Sequence, residues 1–135
     1  MSRHRRLKVL VIDDERVIAD TVRLILSQSG FEVAVAYTAD HAVRLAAAWT
    51  PDILLCDVLL EETNGFDVAI EICETHTNCK VLMFSGQTQT VELLAAYEDK
   101  GYTFEVLAKP VPPEELLERL RSLGVCRTQN TPAPS

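Results

Sequence analysis

No apolar run in this 135-residue chain approaches the ~18–20 residues of a membrane-spanning helix. Met1 leads into Arg3, Arg5 and Arg6, but only residues 7–12 are apolar enough to follow before two aspartates, too few for a signal-peptide core. Cysteine is sparse: Cys56, Cys73, Cys79 and Cys126 form no C-x-x-C pair and no zinc-like spacing. The thiols therefore read as small, reduced residues of a cytoplasmic protein. Glycine is missing where a nucleotide site would need it. The turn after the first apolar run is Asp13-Asp14-Glu15, so neither a Walker-type nor a dinucleotide-binding loop is present. Positive charge is the minority sign, with thirteen Lys and Arg against twenty Asp and Glu for a net −7. Such a surface repels phosphate backbones and acidic headgroups, which argues against nucleic-acid and membrane binding. Four of the bases precede the first acid, and residues 1–6 read as a solvated basic extension.

What is present is an ordinary apolar fraction, 47%, in a chain long enough to bury a core without staples. Apolar runs recur at Val9-Leu10-Val11-Ile12, Val33-Ala34-Val35-Ala36, Ile53-Leu54-Leu55-Cys56, Val81-Leu82-Met83-Phe84 and from Phe104 to Ala108. The first four lack period-two alternation, as expected of strands covered on both faces, and Glu105 marks the fifth as an edge. Between them the period becomes helical. Val17, Thr21 and Leu24, with Val22 and Ile25, predict the first helix. Ala39, Ala42, Val43 and Ala46 predict the second, with Thr38 as its N-cap. Phe66, Ala69, Ile70 and Cys73 mark a third, and Val91, Leu94 and Ala95 a fourth. Pro112-Pro113-Glu114-Glu115 opens a fifth, whose stripe is Leu116, Leu117, Leu120 and Leu123. Gly124 is placed to end it, giving one domain over residues 7–124 and a disordered tail over 125–135. Five strands alternating with five helices make an α/β sandwich around a parallel sheet.

The strand ends carry the chemistry. Asp13 and Asp14 follow the first run, Asp57 the third, Ser85 the fourth and Lys109-Pro110 the fifth. Ligands of open α/β sheets collect outside these carboxyl ends. If the first and third strands are neighbours, three carboxylates and one ammonium converge with a net charge of −2. An all-oxygen donor set of that charge suits a hard cation, Mg²⁺ or Mn²⁺. Lys109 and Ser85 would then hold an anion beside Asp57, a cradle suited to phosphoryl transfer with Asp57 as nucleophile. Each residue alone has a plainer explanation: Asp14 as a helix N-cap, Ser85-Gly86 as a turn. The ordered set is what carries the reading.

With these residues in place, the chain resembles the receiver domain of bacterial two-component response regulators, the fold of the chemotaxis response regulator. The likeness rests on Asp13-Asp14 after Val-Leu-Val-Ile, Asp57 closing Asp-Ile-Leu-Leu-Cys-Asp, Gly65, Ser85 after Val-Leu-Met-Phe, and Lys109-Pro110. It implies a doubly wound, flavodoxin-like five-stranded sheet of order 2-1-3-4-5. It further implies phosphoryl transfer to Asp57 from a sensor histidine kinase or phosphotransfer protein. Mg²⁺ would be held by Asp14, Asp57 and the Leu59 backbone carbonyl, with Asp13 reaching it through water. Ser85 and Lys109 would bind phosphoryl oxygens, and a cis Lys109-Pro110 bond is expected. Leu59 and Gln87 occupy the two positions that tune loss of the phosphoryl group. Output would pass by contact to a downstream protein, with room for self-association through the face of the fourth helix and fifth strand.

The departures from the pattern are local. Leu60-Glu61 stand where many receivers have Met-Pro, and Glu62 adds charge. Val106 occupies the usual switch-aromatic position, while Phe104 and Tyr102 are out of register. The expectation is intact phosphorylation machinery with a different rearrangement of that face, involving Tyr97 or Phe104. Two other readings are a receiver belonging to a longer transcriptional regulator and an aspartate-nucleophile phosphohydrolase. The second wants an Asp-x-Asp motif on the first strand, which Asp13-Asp14-Glu15 lacks; the chain reads as a signalling module, not an enzyme with turnover.

Overall fold

A strand buried on both faces must place apolar side chains above and below the sheet, and the runs found in the sequence divide by parity to do so. The computed structural model describes residues 6–61, 63–86 and 90–130, with side chains through Gly124 apart from Thr90. Strands β1 (Lys8–Ile12), β2 (Glu32–Ala36), β3 (Ile53–Asp57), β4 (Lys80–Ser85) and β5 (Glu105–Ala108) form one parallel sheet in the order β2-β1-β3-β4-β5. Helices α1 (Arg16–Gln28), α2 (Ala39–Trp49), α3 (Gly65–Thr75), α4 (Thr90–Asp99) and α5 (Pro113–Asn130) supply the crossovers. This is the doubly wound, flavodoxin-like arrangement expected.

Leu10, Ile12, Leu54, Cys56 and Met83 join one core with Ala42, Phe66, Ile72 and Tyr97, beneath α2, α3 and α4. Val9, Val11, Ile53, Leu55, Leu82 and Phe84 join the other with Ala19, Leu26, Leu116 and Leu120, beneath α1 and α5. Each fully buried leucine in these layers is worth about 2–5 kcal/mol against truncation to alanine. Thr38 caps α2 as expected, its hydroxyl accepting from the His41 N–H at 3.1 Å. Asn64 does the same for α3, accepting from the Asp67 N–H at 3.0 Å.

Three expectations need correction. The residues expected of the first helix divide: Val17, Thr21 and Leu24 face outward, Val17 79% and Leu24 58% exposed, whereas Val22 is buried together with Ala19 and Leu26 and Ile25 is half-buried. This helix has apolar residues on more than one face, and the stripe containing the small Ala19 is the one seated on the sheet. In α4, Val91 is 72% exposed and Tyr97 is the buried side chain. Lastly, Gly124 does not end α5, which continues to Asn130. Its role is close approach, since a Cβ there would lie 2.4 Å from Leu7 Cδ1. Residues 125–130 are therefore helical where a tail was expected, and residues 1–5 and 131–135 lie outside the described residues.

Candidate functional site

Ladder hydrogen bonds run past the strand ends and fix the backbone of the polar residues there. Asp13 N–H donates to the Ala36 carbonyl at 3.2 Å, Val58 N–H to Phe84 at 3.0 Å, and Lys109 N–H to Ser85 at 2.9 Å. Because β1 lies beside β3 with Ile12 opposite Cys56, the next residues, Asp13 and Asp57, emerge side by side. Asp13, Asp14 and Asp57 present carboxylate oxygens within 4.8 Å of one another. Lys109 Nζ donates to Asp13 Oδ2 and to Asp57 Oδ2, each at 3.2 Å. The peptide bond from Lys109 to Pro110 is cis, as the sequence resemblance implied. The cleft above has a volume of about 380 Å³ and is lined by Asp14, Glu15, Asp57, Leu59, Glu61, Gly86 and Lys109.

Burial divides the acids into different chemical kinds. Asp13 is fully buried, and its Oδ1 also accepts from the Glu15 N–H at 2.9 Å, a local turn that leads the chain into α1. That turn replaces the Asp14 N-cap weighed from the sequence; Glu15 holds the N-cap position without a side-chain bond. Burial pushes the Asp57 carboxyl up from 3.8 to about 6, Lys109 pulls it down, Asp13 raises it, and the Leu59 backbone N–H lowers it. Burial works against the charge on Lys109, but Asp57 and Asp13 outweigh it and hold the ammonium above its ordinary value. One ammonium among three carboxylates leaves the cluster at −2, so the residues present fit a divalent cation held by oxygen ligands.

Ser85 is buried at the end of β4, one position beyond Phe84, which pairs with Asp57. Leu59 is 39% exposed and lines the cleft, bridging Asn64 across the loop after β3. Gln87 lies outside the described residues. Gly65 is where α3 meets the Asp57 backbone: its N–H donates to the Val58 carbonyl at 2.6 Å, and a Cβ there would lie 2.1 Å from the Asp57 carbonyl oxygen.

A sequence profile of the response regulator receiver domain matches residues 9–121. The chain belongs to that family. Among curated relatives of this receiver, the response regulator MprA of Mycobacterium avium is 31% identical over 117 residues, 87% of this chain and 50% of that protein. The DNA-binding response regulator MtrA of Mycolicibacterium smegmatis is 28% identical over 128 residues, 95% of this chain and 54% of that one. The chain thus spans about half the length of the curated relatives it matches. Among solved structures, the receiver domain protein of Methanospirillum hungatei superposes with a TM-score of 0.84 at 21% identity, over 93% of this chain and 99% of that one. The response regulator TrrA of Thermotoga maritima, solved in complex with Mg²⁺ and BeF, gives 0.75 at 22% identity, over 87% and 98%.

The receiver also holds a polar link that sequence reasoning found only in part. Tyr97, named as one alternative for the signalling face, is buried in α4 and donates its hydroxyl proton to Asp67. Asn64 Nδ2 donates to the same hydroxyl at 3.2 Å. Asn64 and Asp67 were missed; the available signal was the helix-cap spacing of Asn64 three residues before an acid. Phe66 packs between Tyr97 and Phe104 with its ring tilted to both, ring centroids 5.0 and 4.8 Å away. Phe104 thus fills the aromatic layer although Val106 holds the usual strand position, paired with Met83.

Proposed function

We propose that this receiver accepts a phosphoryl group on Asp57 from the phosphohistidine of a sensor histidine kinase or phosphotransfer protein, and signals by protein–protein contact without sustained turnover. The observation that carries the reading is Lys109 Nζ standing 3.2 Å from both Asp13 and Asp57 within a cluster of three carboxylates. At neutral pH Asp57 is ionised, and its free oxygen lone pair attacks phosphorus. A P–O bond forms as the P–N bond to the donor imidazole breaks, and the imidazole leaves with both its electrons. Lys109, already charged and held between two acids, donates to a phosphoryl oxygen, and the Ser85 hydroxyl donates to another. Asp13, Asp14 and Asp57, with the Leu59 carbonyl, would hold Mg²⁺, which when bound neutralises charge on the transferring group.

The exposed side of α1 supports docking of the donor here. A groove of about 480 Å³ lined by Val17, Ile18, Thr21, Phe84, Pro110 and Leu116 opens beside Lys109. Its apolar lining gives the outward Val17 a use that core packing does not. Signal output would leave through Asn64, which bridges Leu59 and hydrogen-bonds Tyr97 of α4.

The test is incubation with acetyl phosphate and Mg²⁺, followed by intact-mass measurement of wild type and Asp57→Asn. One phosphoryl adduct on wild type and none on the variant is expected. An adduct that persists in the variant, or none on either, refutes the assignment. A second reading, in which the receiver governs a DNA-binding effector, draws on relatives such as MtrA whose names say so and whose length is about twice the match. A phosphorylation-dependent capture of a DNA-binding protein would favour it.

A further inference from the structure

The edge of the sheet opposite the carboxylates carries a second pair of reactive groups. Cys73 lies near the end of α3 and Cys79 immediately precedes β4. Both line one groove of about 410 Å³, with Ile70, Lys80, Tyr102 and Phe104 among its walls. The intervening turn is closed by the Cys79 N–H donating to the His76 carbonyl at 3.1 Å, so the chain doubles back within six positions. The Cys73 thiol donates to the Cys79 carbonyl oxygen at 3.7 Å, and the Cys79 thiol donates to the Lys80 carbonyl oxygen at 3.6 Å. The influence of Cys79 outweighs partial burial and holds the Cys73 thiol below its ordinary value of 9.0. Cys73 is part-exposed and Cys79 nearly buried, an attacking and a resolving position. Cys56 is the contrast: fully buried, its thiol is pushed well up by burial and then by Asp57 and Asp13.

We propose that Cys73 and Cys79 form a reversible dithiol–disulfide pair that reacts with low-molecular-weight disulfides through this groove. The Cys73 thiolate attacks one sulfur of the external disulfide. A mixed disulfide forms as the external S–S bond breaks, and half of the oxidant leaves as a thiolate that takes up a proton. Cys79, its proton lost to solvent, then attacks the Cys73 sulfur and expels the second half as a thiol. The protein gives up two electrons and two protons, and the external disulfide takes up both. The site is independent of Asp57 chemistry, since the strand from Lys80 to Ser85 separates the two edges by about 17 Å.

The experiment treats the full chain with oxidised glutathione, quenches with acid and reads intact mass and linked peptides. Wild type is expected to become lighter by two hydrogen atoms, with residues 73 and 79 linked and no adduct retained. Cys79→Ser should hold one glutathione on Cys73, and Cys73→Ser should react at least tenfold more slowly. A wild-type adduct that never resolves, a link through Cys126, or Cys73→Ser reacting at the wild-type rate would overturn the proposal. Iodoacetamide labelling of unmodified protein needs no variant: Cys73 should label at least tenfold faster than Cys56, and equal rates would also overturn it.

Discussion

Asp57→Asn should make the metal-free protein more stable at neutral pH, although it removes an ion-pair partner of Lys109. The magnitude follows from the carboxyl, which burial, partly offset by Lys109, moves from 3.8 to about 6. Between those values the folded state binds a proton that the unfolded chain has released. Stability therefore falls as pH rises through that window, and the loss is complete above about 6. At pH 7.5 keeping Asp57 ionised costs about 3 kcal/mol, at 1.36 kcal/mol for each tenfold change in proton affinity. Asparagine lifts that cost and leaves Lys109 with Asp13, 3.2 Å away. Allowing for relaxation, the variant should gain about 1–3 kcal/mol, or about 4–12 °C in melting temperature for a domain of this size. The assay is thermal unfolding in chelator at pH 7.5 and again below pH 4, where both side chains are neutral and the difference should vanish. An Asn variant no more stable than wild type at pH 7.5, or an advantage that persists in acid, refutes the electrostatic account. Added Mg²⁺ should stabilise wild type more than the variant and narrow the gap.

Other perturbations probe the surroundings. Gly65→Ala places a methyl group 2.1 Å from the Asp57 carbonyl oxygen and 2.8 Å from Met83 Cε. It should cost about 2–4 kcal/mol in urea unfolding, and a loss under about 0.5 kcal/mol would show that the loop yields freely. Leu59→Asn puts a hydrogen-bonding side chain where an exposed apolar one lines the cleft, so acyl phosphate loss should accelerate about 3–10-fold. An equal or longer phosphorylated half-life would sink that account. Tyr97→Phe removes the hydroxyl shared by Asn64 and Asp67 and should cost about 1 kcal/mol of stability. It should also uncouple NMR shifts in α4 from a phosphoryl mimic at Asp57; unchanged coupling would move the relay elsewhere.

The strands and the carboxylate site were legible because each rests on local facts. Four-residue apolar runs such as Ile53-Leu54-Leu55-Cys56 need burial on both faces wherever they lie, and polar residues directly after them must fall at one edge of a parallel sheet. Which side of α1 turns inward was not legible. Val17 and Leu24 share helical spacing as well as Ala19, Val22 and Leu26 do, and spacing alone does not rank the two faces. Gly124 misled for a related reason. A glycine at a helix end and a glycine under a neighbouring side chain look alike in sequence, and Leu7 lies more than a hundred residues away. Tyr97 could be named from the sequence, but its partners Asn64 and Asp67 could not, because the bond crosses between two helices.

Gly65 has a mechanical consequence. With no Cβ to hold it off, the first turn of α3 sits directly on the backbone that carries Asp57, tied there by a 2.6 Å hydrogen bond to Val58. So short a bracket has no slack. Under the proposed phosphorylation, any reorientation of the main chain at residue 57 would press on the first turn of α3, whose cap residue Asn64 hydrogen-bonds Tyr97 of α4.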